Sequence, residues 1–295
     1  MTTLDLRPVQ HRSHPRPDLS QVDRRLRCSY APSRDGVDSN LLILLHGLGD
    51  TLEPFKHLGE SLNLPQTAVL SLQAPTQIPL LDEPAFEWWA SFDPLGEIIP
   101  NPNPTATLQL VHKVLSHLVS TCQWNLNEIH LFGFAQGGTV AGELGLYSRA
   151  NPIIKATTEP ASSTTTTTSP PSNVDSLGSI VAVSAPLLSH PTTSSPSQAT
   201  STPVCLVYRA PEAREINLPS WKKAYGDAKV TEVRLEGGRG REGMPRGMDE
   251  WRGIMKFWSE VLTRRSAIER SSDVFELTGG VGAARAAGAT GRTAT

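Results

Sequence analysis

The chain has 295 residues, with 27 basic and 29 acidic side chains and a formal charge of −2 at pH 7. A charge this close to zero produces no strong field of either sign, which argues against nucleic acid or an anionic membrane surface as the main partner. The three cysteines, Cys28, Cys122 and Cys205, form no CxxC pair and fit a reducing compartment. We therefore expect a cytoplasmic protein without bound metal or cofactor.

The amino-terminal segment and the apolar runs bear on targeting. Residues 1–17 are polar and lack the apolar run of a secretory signal. Their arginines leave a transit peptide open, although Asp5 and the prolines count against it. No run approaches the roughly 18 apolar residues that a membrane span needs, so no span is expected.

Strand and helix patterns alternate along the chain. Residues 41–45 are a continuous apolar run that stops at glycine, which is typical of a strand buried on both faces of a parallel sheet. Apolar positions at helical spacing predict a helix over 105–121, with Thr105 as its N-cap. The other predicted strands are 67–72, 129–132, 180–184, 204–208 and an edge strand at 230–235, and the other predicted helices are 53–63, 136–147 and 249–262.

This alternation predicts an α/β fold with a mostly parallel sheet and helices on both sides. We place the domain at 24–265, after a flexible segment at 1–23. Ser/Thr/Pro-rich insertions at about 156–176 and 191–203, and the Gly/Ala-rich tail at 266–295, have too little apolar surface to offset their ordering entropy and are expected to be disordered.

The segment GFAQGG at 133–138 lies directly after a predicted strand and directly before a predicted helix. That is the setting of a nucleophile elbow, whose glycines permit the tight turn that exposes the central residue. The central residue here is Ala135, which has no hydroxyl group. Attack on an acyl group from this position is therefore impossible.

Three further segments precede the elbow: LLHGLGDT at 44–51, QAPT at 73–76 and WASFD at 89–93. Together, and in this order, the four segments resemble the phospholipase/carboxylesterase family, which includes the acyl-protein thioesterases. The resemblance covers about 41–140 and weakens after residue 150. It implies an α/β-hydrolase fold and a serine, acid and histidine triad in that chain order.

The resemblance also implies where the acid and the base belong. Glu212 is nearest to the acid position, after the strand at 204–208, and Arg246 stands where the histidine belongs. The last histidine of the chain is His190, so none follows that strand. Arginine cannot replace it, because its guanidinium group stays protonated and accepts no proton. The triad is thus expected to be degenerate at Ala135, Glu212 and Arg246.

The oxyanion hole depends on backbone amides and survives such changes. The resemblance assigns it to the N–H groups of Leu48 and Gln136, which bind either water alone or an anion or carbonyl ligand. Trp88, Trp89 and Phe92 are interpreted as loop packing or as one wall of an acyl-binding pocket. His46 is expected to shape its loop, and the glycine-rich basic stretch 234–246 is a solvated loop or, on weaker grounds, an RNA-binding segment.

Three hypotheses of different classes follow. The first is a non-catalytic family member that binds an acyl or ester small molecule or an acylated protein. The second is an active or weakly active ester or thioester hydrolase with a rearranged centre, with Glu212 or His190 as base. The third is an interaction protein that works through its Ser/Thr-rich insertions. The sequence does not predict an oligomeric state.

Overall fold

The computed structural model describes residues 5–8, 14–79, 81–153, 176–188, 200–237, 243–265 and 275–278. Two compact units are present: one spans residues 13–264, and the other comprises 1–12 with 265–295. In the second unit, β1 (Asp5–Pro8) pairs antiparallel with β11 (Phe275–Thr278). Strands therefore occur within both terminal segments that were predicted to be flexible or disordered. Both segments alternate apolar and polar residues, which is the strand pattern.

The first unit is built on a seven-stranded sheet in the order β10, β9, β8, β7, β3, β4, β2. Six strands run parallel, and only β2 pairs antiparallel, against β4. The strands are β2 (Cys28–Ala31), β3 (Asn40–Leu45), β4 (Thr67–Leu72), β7 (Ile129–Phe134), β8 (Ser179–Val183), β9 (Val204–Arg209) and β10 (Val230–Leu235), with a separate short pair of β5 (Thr76–Gln77) and β6 (Phe86–Glu87). The mostly parallel α/β fold is confirmed, and β10 is the edge strand that the sequence predicted.

Helices cover both faces of this sheet. They are α1 (Leu52–Leu62), α2 (Thr105–Ser120), α3 (Gln136–Ala150), α4 (Ala213–Ile216), α5 (Leu218–Tyr225) and α6 (Gly247–Val261). One apolar cluster joins the sheet to α2, α3, α4 and α5, and a second joins the opposite face to α1 and α6. The central strands β3, β8 and β9 are buried along their whole length, which explains their continuous apolar sequences.

Two local predictions differ from the structure. Thr105 is the first residue of α2 and not its N-cap, which is Pro104; the Asn103 side chain instead accepts a hydrogen bond from the Thr105 amide at 3.0 Å. Thr200 and Thr202, at the end of the second predicted insertion, are buried beside the start of β9. Most of the two insertions, at 154–175 and 189–199, lies outside the described residues, as do 238–242 in the basic loop.

The order of the strands fixes where a site can form. From β3 the chain moves to β4 on one side, and from β7 it moves to β8 on the other, while β3 and β7 are paired neighbours. In open α/β sheets, ligands bind at the carboxyl ends of the two strands that flank such a reversal. Leu48 follows β3 and Ala135 follows β7, so both lie at this point. No helix in the described part of the chain is long and apolar enough to cross a membrane.

Candidate active site

Ala135 occupies the turn between β7 and α3 with φ 48° and ψ −115°. A residue with a Cβ atom rarely adopts a positive φ, and such strain persists only where the surroundings enforce it. The Ala135 amide donates to the Val183 carbonyl at 2.8 Å, and a Cβ atom at Gly133 would lie 2.2 Å from the Gly137 carbonyl oxygen. The strained turn of a nucleophile elbow is therefore present, with a methyl group at its apex.

The two amides assigned to the oxyanion hole follow neighbouring strands. Leu48 lies in the turn after β3, which a hydrogen bond from the Gly49 amide to the Phe86 carbonyl (2.9 Å) holds in place. Gln136 is the first residue of α3, where backbone N–H groups have no acceptor within the helix. The register of β3 and β7 pairs Leu45 with Gly133, so both turns leave the same edge of the sheet. The assignment of the two amides stays a prediction, and this placement is compatible with it.

The side chain of Gln136 ties the elbow to the aromatic loop. Its Oε1 accepts from the Trp88 amide at 2.8 Å, and its Nε2 donates to the Trp89 carbonyl at 3.1 Å and to Ser91 Oγ at 2.7 Å. Gln136 is buried, so these bonds replace the water that its amide group has lost. The loop over residues 88–91 is thus fixed relative to Ala135.

His46 is buried at the end of β3 and fully hydrogen-bonded. Its Nδ1 faces the Gly47 carbonyl at 2.7 Å and must donate, whereas its Nε2 accepts from the Ala74 amide at 2.9 Å and from Gln73 Nε2 at 2.8 Å. Burial lowers the pKa of His46, which keeps the ring neutral. Both ring nitrogens are engaged, which supports the structural role expected for this residue.

Of the three aromatic residues predicted to form a pocket wall, two line a cleft and one does not. Trp88 is 1% exposed and its Nε1 donates to the His46 carbonyl at 2.8 Å. Trp89 is half-buried, and both tryptophans line a cleft of about 470 Å³. Phe92 is 45% exposed and is bridged to Ile98, outside the lining of that cleft.

Glu212 lies in a helical turn after β9, and its carboxylate accepts two hydrogen bonds. Its Oε2 accepts from Ser184 Oγ at 2.8 Å and from the Arg209 amide at 3.1 Å. Ser184 follows β8 with a φ of 50°, a second positive value at this edge of the sheet. Sequence reasoning placed Ser184 at the end of a strand and assigned it no function. The signal that could have found it was a hydroxyl residue at the carboxyl end of a strand beside the elbow strand.

Arg209 is 2% exposed and forms a bidentate ion pair with Glu250, with N–O distances of 3.0 and 2.9 Å. It also donates to the carbonyls of Glu236 at 2.8 Å and Met244 at 3.4 Å. The hydrogen bonds from its guanidinium to Glu250 raise the pKa of Arg209. This side chain therefore links β9, α6 and both flanks of the basic loop.

Arg246 is the N-cap residue of α6, and its amide donates to Glu250 Oε2 at 2.7 Å. Its side chain is exposed. The loop before it reaches the elbow, because a Cβ atom at Gly243 would lie 3.6 Å from the Phe134 ring. The structure joins Glu212 to Ser184, and it joins the Arg246 backbone to Glu250. His190 lies outside the described residues.

A metal site would need a cluster of His, Cys, Asp or Glu side chains among the described residues. Within these residues no group of three or more His, Cys, Asp or Glu side chains is arranged to bind a metal ion. The three cysteines are all free.

Comparison with known proteins gives the family. Residues 29–157 match the phospholipase/carboxylesterase family. An uncharacterized hydrolase of Mycosarcoma maydis is 42% identical over 253 residues, which cover 84% of this chain and 86% of that protein. The chain belongs to the phospholipase/carboxylesterase family. The family membership predicted from the four sequence segments is confirmed.

Solved structures with low sequence identity share the fold of this family member. The acyl-protein thioesterase 2 of Zea mays has a TM-score of 0.56 at 18% identity, covering 80% of this chain and 99% of that one. A carboxylesterase of Bacillus cereus has a TM-score of 0.54 at 13% identity, covering 82% and 97%. At these identities the likeness establishes the α/β-hydrolase architecture alone.

Proposed function

We propose that this family member has lost serine-hydrolase activity and acts by binding an acyl or ester ligand, either a small molecule or an acylated protein. The observation that carries the proposal is the elbow itself. Ala135 holds the strained backbone of a nucleophile, with φ 48°, but offers only a methyl group. An acyl-enzyme at this residue would need an oxygen or sulfur atom that the side chain lacks.

The surroundings support the same conclusion. Catalysis by a triad needs a base that accepts a proton from the nucleophile. The position assigned to that base holds Arg246, and no histidine follows His190. The acid position, Glu212, is engaged with Ser184 and with a backbone amide. These changes involve all three triad positions, which a single inactivating substitution would not explain.

A binding function is favoured because the oxyanion hole consists of backbone amides, which do not depend on side-chain identity. The amides of Leu48 and Gln136 follow paired strands, and the positive end of the α3 helix dipole favours an anion or a carbonyl oxygen there. We place the protein in the cytoplasm, where its three free cysteines would stay reduced.

Labelling with a fluorophosphonate probe tests the loss of activity. We expect no covalent adduct on the full chain and no turnover of p-nitrophenyl acetate above the rate in buffer. An active serine esterase in the same tube serves as the positive control. A stoichiometric adduct on any residue of 13–264 would contradict the proposal.

One observation favours a second candidate, a weak hydrolase with a rearranged centre. Ser184 Oγ donates to Glu212 Oε2 at 2.8 Å, a hydroxyl paired with a carboxylate beside the elbow. In such a reaction Ser184 Oγ would attack the carbonyl carbon while its proton passes to Glu212. The leaving group would then take that proton, and water would release the acyl group. Turnover that Ser184→Ala abolishes and Ser71→Ala leaves unchanged would establish this candidate.

Attempted repair tests the assigned triad positions. Ala135→Ser alone should restore no turnover, because Arg246 cannot accept the hydroxyl proton and triad members act as a unit. Ala135→Ser with Arg246→His is expected to exceed the single variant in p-nitrophenyl acetate turnover. Equal rates for the two variants would show that Arg246 does not occupy the position of the base.

A further inference from the structure

A cleft of about 470 Å³ lies apart from the triad positions, between the turn at 23–26, the aromatic loop and one face of α2. Its volume falls within the range of sites that enclose small organic ligands, about 300–1,000 Å³. Its lining does not include Ala135, Leu48 or Gln136. The cleft is therefore a separate candidate for binding.

One wall of the cleft is a helix face. Ala106, Leu110 and Lys113 follow one another at helical spacing along α2 and all line the cleft. At 1.5 Å per residue this face is about 10 Å long from Ala106 to Lys113. Leu26, Pro75 and the half-buried Trp89 add apolar surface on the other sides.

The lining of the cleft includes three charged side chains, Asp23, Arg25 and Lys113. Arg25 pairs with Asp23 through N–O distances of 3.2 and 3.0 Å. Hydrogen bonds from Arg25, together with the charge of Arg25 and a smaller effect of Lys113, lower the pKa of Asp23 to about 2. Because Arg25 and Asp23 offset each other, the net positive charge of the lining comes from Lys113, at one end of the helix face.

Trp88, which is buried and lines the cleft as its floor, forms three hydrogen bonds. The Trp88 carbonyl accepts from Thr107 Oγ1, its amide donates to Gln136 at 2.8 Å, and its indole donates to the His46 carbonyl at 2.8 Å. A floor fixed by three hydrogen bonds needs little reorganisation when a ligand binds, which favours affinity.

From this arrangement we infer that the cleft binds a small aromatic anion, an aryl carboxylate or aryl phosphate, with its ring against Trp89 and its anionic group beside Lys113 and Arg25. An indole face favours a flat ring through offset stacking. The net positive end favours an anion over a neutral molecule of the same shape. This inference goes beyond the proposed function, because it concerns a site away from the elbow.

Calorimetric titration of the full chain with phenyl phosphate, benzoate and neutral benzyl alcohol tests the inference. We expect at least one of the two anions to bind, and benzyl alcohol to bind at least about tenfold more weakly, since one partly solvated charge contact contributes about 1.4 kcal/mol. The two anions separate a phosphate site from a carboxylate site. Equal binding of benzyl alcohol, or no binding of either anion at millimolar concentration, would overturn the inference.

Variants locate the site. Lys113→Gln should weaken anion binding by about tenfold, and Trp89→Leu should weaken it for the aromatic anions more than for acetate. Lys256→Gln changes an exposed lysine on α6 and serves as the matched control, with no change expected. An equal loss of anion affinity in both lysine variants would show that the anion does not bind in this cleft. Ester turnover by the wild-type chain would overturn the proposed loss of activity and leave this inference standing. Absence of anion binding would overturn this inference and leave the proposed loss of activity standing.

Discussion

The two halves of the candidate active site differ in what holds them. In the first half, formed by the turns after β3 and β7 with the aromatic loop, most partners are backbone groups: His46, Trp88 and Gln136 all bond to main-chain atoms. In the second half, formed by the ends of β8 and β9 with the turn before α6, the contacts are made by charged side chains. Ser184 pairs with Glu212, and Arg209 pairs with Glu250.

The difference shows which parts of a hydrolase site also support the fold. The groups of the first half fasten the loops after the central strands to one another, so replacing them would leave buried polar backbone unpaired. A nucleophile hydroxyl and a catalytic imidazole can be lost without that cost. In the second half, Arg209 is buried, whereas Ser184, Glu212 and Glu250 are half-buried.

The largest effect is expected at Gly137, in the first half. A Cβ atom there would lie 2.3 Å from the Leu45 carbonyl oxygen and 2.4 Å from that of His46, both rigid backbone atoms. Gly137→Ala should lower the free energy of unfolding by about 4 kcal/mol or prevent folding, measured by urea denaturation. Gly253→Ala, whose Cβ would meet only Val233 side-chain atoms, should cost clearly less. Equal losses would show that the elbow backbone is not specially constrained.

The second half is tested at its ion pair. Glu250→Gln removes the charge that faces Arg209, which is 2% exposed, and should lower the free energy of unfolding by about 3 kcal/mol because a buried cation loses its counterion. Asp249→Asn is the matched control, since Asp249 and its partner Arg252 are 91% and 80% exposed. That change should have an effect close to zero. If both variants unfold at the same urea concentration, the pair does not support this half.

Dependence of stability on pH should arise from two buried histidines, His46 in the first half and His130 near the start of β7. Burial lowers the pKa of His130, on β7, to about 4 from 6.5, and burial also lowers that of His46. The unfolded chain therefore takes up protons first as the pH falls. The histidine contribution to the free energy of unfolding should be fully present above pH 6.5 and decrease towards pH 4. His130 alone should account for about 3 kcal/mol of that loss.

Chemical denaturation at a series of pH values measures this slope. His130→Gln should flatten the curve between pH 6.5 and 4, while His57→Gln, at a ring that is 70% exposed, should leave it unchanged. An unaltered slope in the His130 variant would assign the pH dependence to other groups.

The smallest effect is expected at Ala135 itself. Ala135→Gly relieves a positive φ and should raise the free energy of unfolding by about 1 kcal/mol, since the strain of such a residue exceeds the entropic cost of glycine. Asn63→Gly is the control, because asparagine tolerates the left-handed conformation (φ 44°, ψ 47°) that it adopts. A loss of stability in Ala135→Gly would mean that the methyl group packs favourably enough to offset the strain.

The sequence predicted the seven main strands unevenly. Five of the six parallel strands were predicted from apolar runs, since burial on both faces leaves a strong signal, and the edge strand β10 was predicted from its alternating pattern. The antiparallel strand β2 was not predicted, because all four of its residues are only half-buried. The strands of the terminal segments were missed because each is only four residues long and lies in a polar context.

The first half of the site was predictable and the second was not. The elbow and the His46 turn are local motifs, in which neighbouring residues fix the backbone. The pairing of Arg209 with Glu250 joins positions 41 apart, and that of Ser184 with Glu212 joins positions 28 apart. Nothing in the local sequence of either residue indicates its partner.

The sequence by itself determined the family, the absence of a hydroxyl at Ala135 and the absence of any histidine after His190, because residue identity alone settles whether those groups are present at those positions. Only the tertiary structure decided which side chains meet beside the elbow. Bringing the ends of β8, β9 and the turn before α6 to one edge of the sheet depends on strand order and packing, and that arrangement gave Glu212 a serine and Arg209 a carboxylate as partners.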